Sequence, residues 1–130
     1  MSEVLPLPSR RQEAWRYADI DALARLWPLP EAERILVPSG ESAARTVVQR
    51  DGVTRLAFEL EAGAKAALHV LNMGQGYGRV EIEAVLHAGA DFHLGAAQLG
   101  GGDANLEVIA TITHRAPDAT SRQVVRSVLA

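Results

Sequence analysis

The sequence predicts a mainly β protein: a partial parallel β-helix of 26-residue, two-strand coils preceded by a short N-terminal helical segment. Three observations carry this. Glycines stand at 63, 76, 89 and 102, thirteen residues apart. The apolar positions between them alternate with period two but return to the same phase only after 26 residues. Ahead of them, Trp15, Ala18, Ala22, Leu23 and Leu26 recur at spacings of three and four.

The helical segment is expected over residues 10–26. Ser9 followed three residues later by Gln12 is a capping-box signature, in which each side chain satisfies a backbone amide of the first turn. Trp27-Pro28-Leu29-Pro30 is the stop, because proline lacks an amide donor and disfavours helix in the residue before it. Residues 31–45 read as a connector with a short apolar strand at Ile35–Val37, closed by Pro38-Ser39-Gly40. The division is therefore residues 1–45, helical segment and connector, and residues 46–130, the β-helix core.

From Thr46 the period is two, and Asp51-Gly52 predicts a tight turn between "TVVQ" and "VTRLAFEL". Columns 26 apart give Thr54/Val80/Leu106, Leu56/Ile82/Val108, Phe58/Ala84/Ala110 and Leu60/Leu86/Ile112. The intervening blocks give Ala66/Phe92, Leu68/Leu94 and Val70/Ala96. Two strands and two turns per repeat, each strand shifted equally onto the next, describe a coil that winds on itself with parallel ladders. In the same register Arg55, Glu81 and Glu107 form one outward column.

Composition bounds the function. The 130 residues, 48% hydrophobic and 22% charged, suffice for one globular core. A net charge of −3, with Arg10-Arg11 the longest basic run, gives no electrostatic footprint for nucleic acid. Without cysteine, no disulfide, thiolate nucleophile or Cys-ligated cluster is built from this sequence. Neither a signal-type h-region nor an 18-residue apolar run occurs, so the expectation is a cytoplasmic protein without membrane partners.

"THRAPDATSRQV" at 113–124 holds His114, Asp118 and Ser121, the residue types of a hydrolytic triad. Working triads draw on rigid, distant elements and an oxyanion site. Here all three share one loop with Pro117, and the sequence has no "GxSxG" elbow, so a corner turn is the better reading. His69, His87 and His93 fall on outward phases and do not align at 26, which favours surface histidines over a metal ladder. "GQGYG" at 74–78 and "GGGD" at 100–103 lead into strand alternation and not into a helix N-terminus, so they read as corners and not phosphate cradles. No catalytic, cofactor-binding or metal-ligating residue is assigned.

These residues carry a family resemblance. "LPSRRQEAWRYADIDAL" resembles the N-terminal "LP-[ST]-R-x-x-E-x-W-[KR]-Y" signature of SufD proteins, and "THRAPDATSRQVVRSVLA" is similar to the "H-x-A-P-x-x-x-S-x-Q" stretch of SufB/SufD β-helices. Trp15, Tyr17, His114, Pro117, Ser121 and Gln123 match the motifs. The resemblance implies a non-catalytic scaffold subunit of the SufBCD iron–sulfur cluster assembly complex. It would pair with a SufB-like subunit through the β-helix and with a SufC-like ATPase through a C-terminal part. The cluster would belong to the whole complex, with no cofactor bound by this chain. The family's "K-C-x-H-G-A" segment is absent from the sequence, which stops at Ala130 where relatives continue with "GRAxGxFxG". An N-terminal portion with an open last coil, able to self-associate, is the expectation. The alternatives are a stand-alone β-helical interaction module and a β-helix carbohydrate-active enzyme.

Overall fold

The computed structural model describes residues 30–129, all of whose regular structure is β. The strands are β1 (Glu33–Val37), β2 (Ser42–Leu60), β3 (Lys65–Leu86), β4 (Asp91–Gly100), β5 (Asn105–His114) and β6 (Thr120–Leu129). Every pairing is parallel: β1 on β2, β2 on β3, β3 on both β4 and β5, and β4 on β6. The helical segment expected over residues 10–26 lies outside the described residues.

The chain winds as a flattened parallel β-helix with two walls. One wall stacks residues 42–50, 65–73, 91–100 and 120–129; the other stacks Glu33–Val37, 52–60, 77–86 and Asn105–His114. Alternate side chains of both walls point inward. Leu56, Phe58, Leu60, Val80, Ile82 and Leu86 from one wall meet Leu68, Phe92 and Leu94 from the other, all at most 3% exposed. Phe58 and Phe92 touch across the gap with ring centroids 5.1 Å apart and planes at 54°. Each such side chain contributes roughly 1.5–3 kcal/mol by leaving water.

The coil begins earlier than the period-two signal suggests. The short strand expected at Ile35–Val37 runs over Glu33–Val37, and β2 opens at Ser42, so much of the expected connector is already part of the first coil. These residues escaped the pattern because the terminal rung is solvated on both faces: Ser42 to Thr46 are all exposed. Its interior is closed by charge. Glu33 and Arg45, at inward positions of opposite walls, face each other with Arg45 NH2 donating to Glu33 Oε1 at 2.7 Å, and that bond holds the Glu33 carboxyl below its ordinary range.

One set of corners is regular. In Pro38–Glu41, Glu61–Ala64 and His87–Ala90 the last amide donates back to the first carbonyl, and Gly40, Gly63 and Gly89 occupy the third position with φ of 73°, 71° and 68°. That is type II geometry, which favours glycine at this position. The turns stack, with Gly40 N donating to Ala62 O and Gly63 N to Ala88 O. The fourth corner, Ala116-Pro117-Asp118-Ala119, closes with Ala119 N on Ala116 O at 3.2 Å, proline supplying the preset φ at its second position.

The opposite corners lengthen along the axis, and they correct the constant 26-residue repeat. At the first of them Asp51 and Gly52 do turn the chain, with φ of 53° and 97°, but the strands on either side do not form a hairpin; both lie beside β3. The loop from Gly74 to Gly76 is longer, and the one from Gly101 to Ala104 longer still. Partners are therefore 23 residues apart at Gln49↔Asn72, 26 at Leu56↔Ile82 and Leu68↔Leu94, 28 at Val80↔Val108 and 29 at Phe92↔Ser121. Val108 stacks on Val80, Ala110 on Ile82 and Ile112 on Ala84, two residues off the expected columns. Along β5 the slip is two, an even number, so its side chains keep their expected faces; along β6 it is three.

Candidate functional site

The register slip decides the fate of "THRAPDATSRQV". Thr113 stacks on Val85, which puts His114 on Leu86 at an inward position; Ser121 stacks on Phe92 across the corner. His114 Nε2 and Ser121 Oγ are consequently 3.0 Å apart and hydrogen-bonded. Where the rungs below set apolar side chains face to face, this rung sets an imidazole against a hydroxyl, both exposed. Among the described residues nothing joins Asp118 to His114, so the pair lacks the carboxylate that would orient its base. The segment is a corner, as its turn chemistry indicates.

The other histidines are spread over the surface. His87 pairs with Glu59 at 2.9 Å and His93 with Asp91 at 3.2 Å, while His69 is exposed on the wall formed by residues 65–73. No group of three potential metal ligands occurs among the described residues. The two glycine-rich runs are corners. Gly76 N donates to Asp51 Oδ1 at 3.1 Å, and a side chain at Gly74 would come within 2.1 Å of the same oxygen, so the chain passes there without one.

Two polar constellations were missed by the pattern of apolar residues. The first is a ladder inside the coil. Gln49, Asn72, Gln98 and Ser127 occupy successive rungs of one inward column. Gln49 Nε2 donates to Asn72 Oδ1 at 3.1 Å, Asn72 Nδ2 to Gln98 Oε1 at 3.1 Å, and Gln98 Nε2 to Ser127 Oγ at 3.1 Å. The same amides reach across to the other wall: Gln49 to Gly52 O and Asn72 to Gly78 O, each at 3.2 Å, while the Thr54 hydroxyl donates to Gln49 Oε1. The ladder thus brings side-chain donors to backbone carbonyls at these corners. Amides at inward positions, 23 and then 26 residues apart, were the available signal.

The second lies on the outer face of β3 and β5. Arg79, 1% exposed, donates NH1 to Glu107 Oε2 at 2.8 Å and Nε to Glu81 Oε2 at 3.3 Å. Tyr77 donates its hydroxyl to the same Glu107 oxygen at 2.8 Å, and Arg55 lies 3.7 Å from Glu81. The expected single column Arg55/Glu81/Glu107 is thus two columns, because the two-residue slip sets Glu107 beside Arg79. Each carboxylate then has a cation for its neighbour. Burial, with the Glu107 hydrogen bond and charge, pushes the Tyr77 phenol above its ordinary value. Burial opposes the charge on Arg79, but Glu81, Tyr77 and Glu107 outweigh it and hold the guanidinium protonated.

These arrangements define a class: a parallel β-helix whose buried polar side chains are matched with one another along the coil axis. The chain matches no family model, no curated protein and no solved structure.

Proposed function

We infer that the chain acts as a scaffold, a SufD-like subunit that presents its β-helix to a SufB-like partner in cytoplasmic iron–sulfur cluster assembly. The observation that carries this reading is the corner built from the residues of the second motif. His114 and Ser121 bond to each other, Pro117 sets the turn between them, and Gln123 continues the inward column over Leu94. A motif of the form "H-x-A-P-x-x-x-S-x-Q" suits such a corner: an inward residue at each strand end and a preset turn in the middle. The flattened coil, with its two parallel walls, agrees with the architecture that the resemblance implies. On this reading the cluster is cargo of the complex, and the chain contributes shape and surface. The SufC-like ATPase pairs, on the same reading, through the family's C-terminal part.

Co-expression of the tagged chain with SufB-like and SufC-like proteins tests this. Stoichiometric recovery of the SufB-like subunit, lost when a rung is broken by Ile82→Asp, supports the reading. Recovery of neither partner with a chain that is folded by circular dichroism overturns it.

A further inference from the structure

The two walls carry different charge on their outer faces. The face built from residues 42–50, 65–73, 91–100 and 120–129 holds Arg50, Lys65, Arg122 and Arg126, all exposed. Among the described residues none of these four cations is in an ion pair. Asp91, the one carboxylate in these rows, lies at the margin and is occupied by the Thr120 hydroxyl at 2.8 Å and by His93 at 3.2 Å. On the opposite wall the exposed Glu59 and Glu83 stand beside the Arg55, Arg79, Glu81 and Glu107 network. Of the six exposed cations without an ion pair among the described residues, four thus lie on this one face, while Arg34 stands on the opposite wall and Arg115 at a corner.

That face is also apolar. Two adjacent columns along the coil axis run Val48, Leu71, Ala97 and then Met73, Leu99, Val128. Val48 is 61% exposed, Leu99 41% and Val128 62%. Arg50 and Arg126 stand in the same two columns, each on a terminal rung. With rungs ~4.8 Å apart, four of them make a stripe roughly 14 Å long and two side chains wide, the footprint of about three turns of helix.

We propose that this face is a docking site for an acidic amphipathic helix of a partner protein, one that lays aliphatic residues along the Val48–Leu99 stripe and carboxylates against Arg50, Lys65, Arg122 and Arg126. Charge decides the occupant. A second copy placed face to face would set cations against cations. Nucleic acid is disfavoured because single strands stack on aromatic rings, and among the described residues no Phe, Tyr or Trp lies on this face. The same lack disfavours a membrane surface, where aromatic side chains anchor at the headgroups. The proposal stands on the partition of charge and does not depend on the family reading.

The test uses the whole chain and two labelled synthetic helices, one with a leucine face flanked by glutamates and one with lysines in place of the glutamates. Fluorescence anisotropy should show saturable binding of the glutamate helix, weakening as salt rises. Arg122→Glu/Arg126→Glu, a change at exposed positions, should weaken that binding about tenfold or more and create binding of the lysine helix; such an exchange of preference cannot come from misfolding. Leu99→Ser should weaken both. Equal binding of the two helices by the parent, or no effect of charge reversal, overturns the proposal. So does tighter binding to phosphatidylserine vesicles or duplex DNA than to the glutamate helix, or a dimer that the charge reversal abolishes.

Discussion

Asn72 donates an amide hydrogen to Gln98 Oε1 at 3.1 Å, one rung further along the coil, and the two form the centre of the buried ladder. Asn72 is fully buried and has three further partners: Gln49 as donor, and Gly78 O and Glu107 O as acceptors. Asn72→Ala removes the donor for two backbone carbonyls and one side-chain amide at once. Buried polar groups left without partners cost about 1–3 kcal/mol each, partly relieved by entering water. The expected loss is ~3 kcal/mol, read as a lower urea midpoint at unchanged slope. Ser127→Ala, at the exposed end of the same ladder, should cost under ~1 kcal/mol. Equal effects of the two substitutions would mean that the ladder adds nothing by being buried.

Gly78 makes room for that ladder. A methyl group there would come within 2.6 Å of Asn72 Oδ1 and 3.0 Å of Leu106 Cδ2, whereas at Gly76 the nearest atom is Asp51 Oδ1 at 3.8 Å. Neither glycine has a positive φ, so the comparison isolates space. Gly78→Ala should destabilise by roughly 1–3 kcal/mol through overpacking, and Gly76→Ala by under ~0.5 kcal/mol. In an Asn72→Ala background the Gly78→Ala penalty should shrink, because the clashing oxygen is gone. A penalty that persists undiminished would place the strain elsewhere.

Much of the fold was legible because apolar alternation survives wherever a rung has neighbours on both sides. Leu56↔Ile82 and Leu68↔Leu94 pair as the 26-residue phase requires. The pattern failed where a rung is terminal or a corner changes length. Ala43 and Arg45 occupy inward positions at the first rung yet are exposed, so composition there carried no β-helix signal. The glycine spacing hides corner length, since Gly76 and Gly102 keep a 26-residue interval although the corners that hold them differ in length, and each added residue shifts the partners beyond it. The His114–Ser121 contact could not be read from sequence for this reason: it depends on the slips at both preceding corners. The amide ladder was hidden by a different cause. A search for apolar columns discards the polar residues that a coil can bury when its rungs satisfy one another.

Tyr77 makes the alkaline limit of stability testable. Its phenol is raised in the folded state, by burial first and then by Glu107, so the folded chain holds this proton more tightly than the unfolded chain, in which a tyrosine ionises near ~10. The contribution is complete below that unfolded value and is lost as pH rises above it toward the folded one. Urea unfolding from pH 8 to 12 should show the parent losing stability beyond about pH 10. Tyr77→Phe should be less stable at neutral pH, having lost the bond to Glu107, but flatter above about pH 10. Parallel curves for parent and variant would show that Tyr77 does not carry the alkaline loss.

The His114–Ser121 pair gives the last expectation. A serine becomes a useful nucleophile when its base is oriented by a third group and when donors await the oxyanion in a site that excludes water. Here the hydroxyl and the imidazole meet at 3.0 Å at an exposed position, and Asp118 does not reach the ring among the described residues. Hydrolysis of p-nitrophenyl acetate should therefore be slow and unchanged by Ser121→Ala, while His114→Ala removes at most the weak reactivity of a surface imidazole. Both variants should remain within ~0.5 kcal/mol of the parent, since the bond between them is solvated. A drop of more than about tenfold on Ser121→Ala, with folding intact, would show instead that the corner activates its serine and that the open rung is a catalytic site.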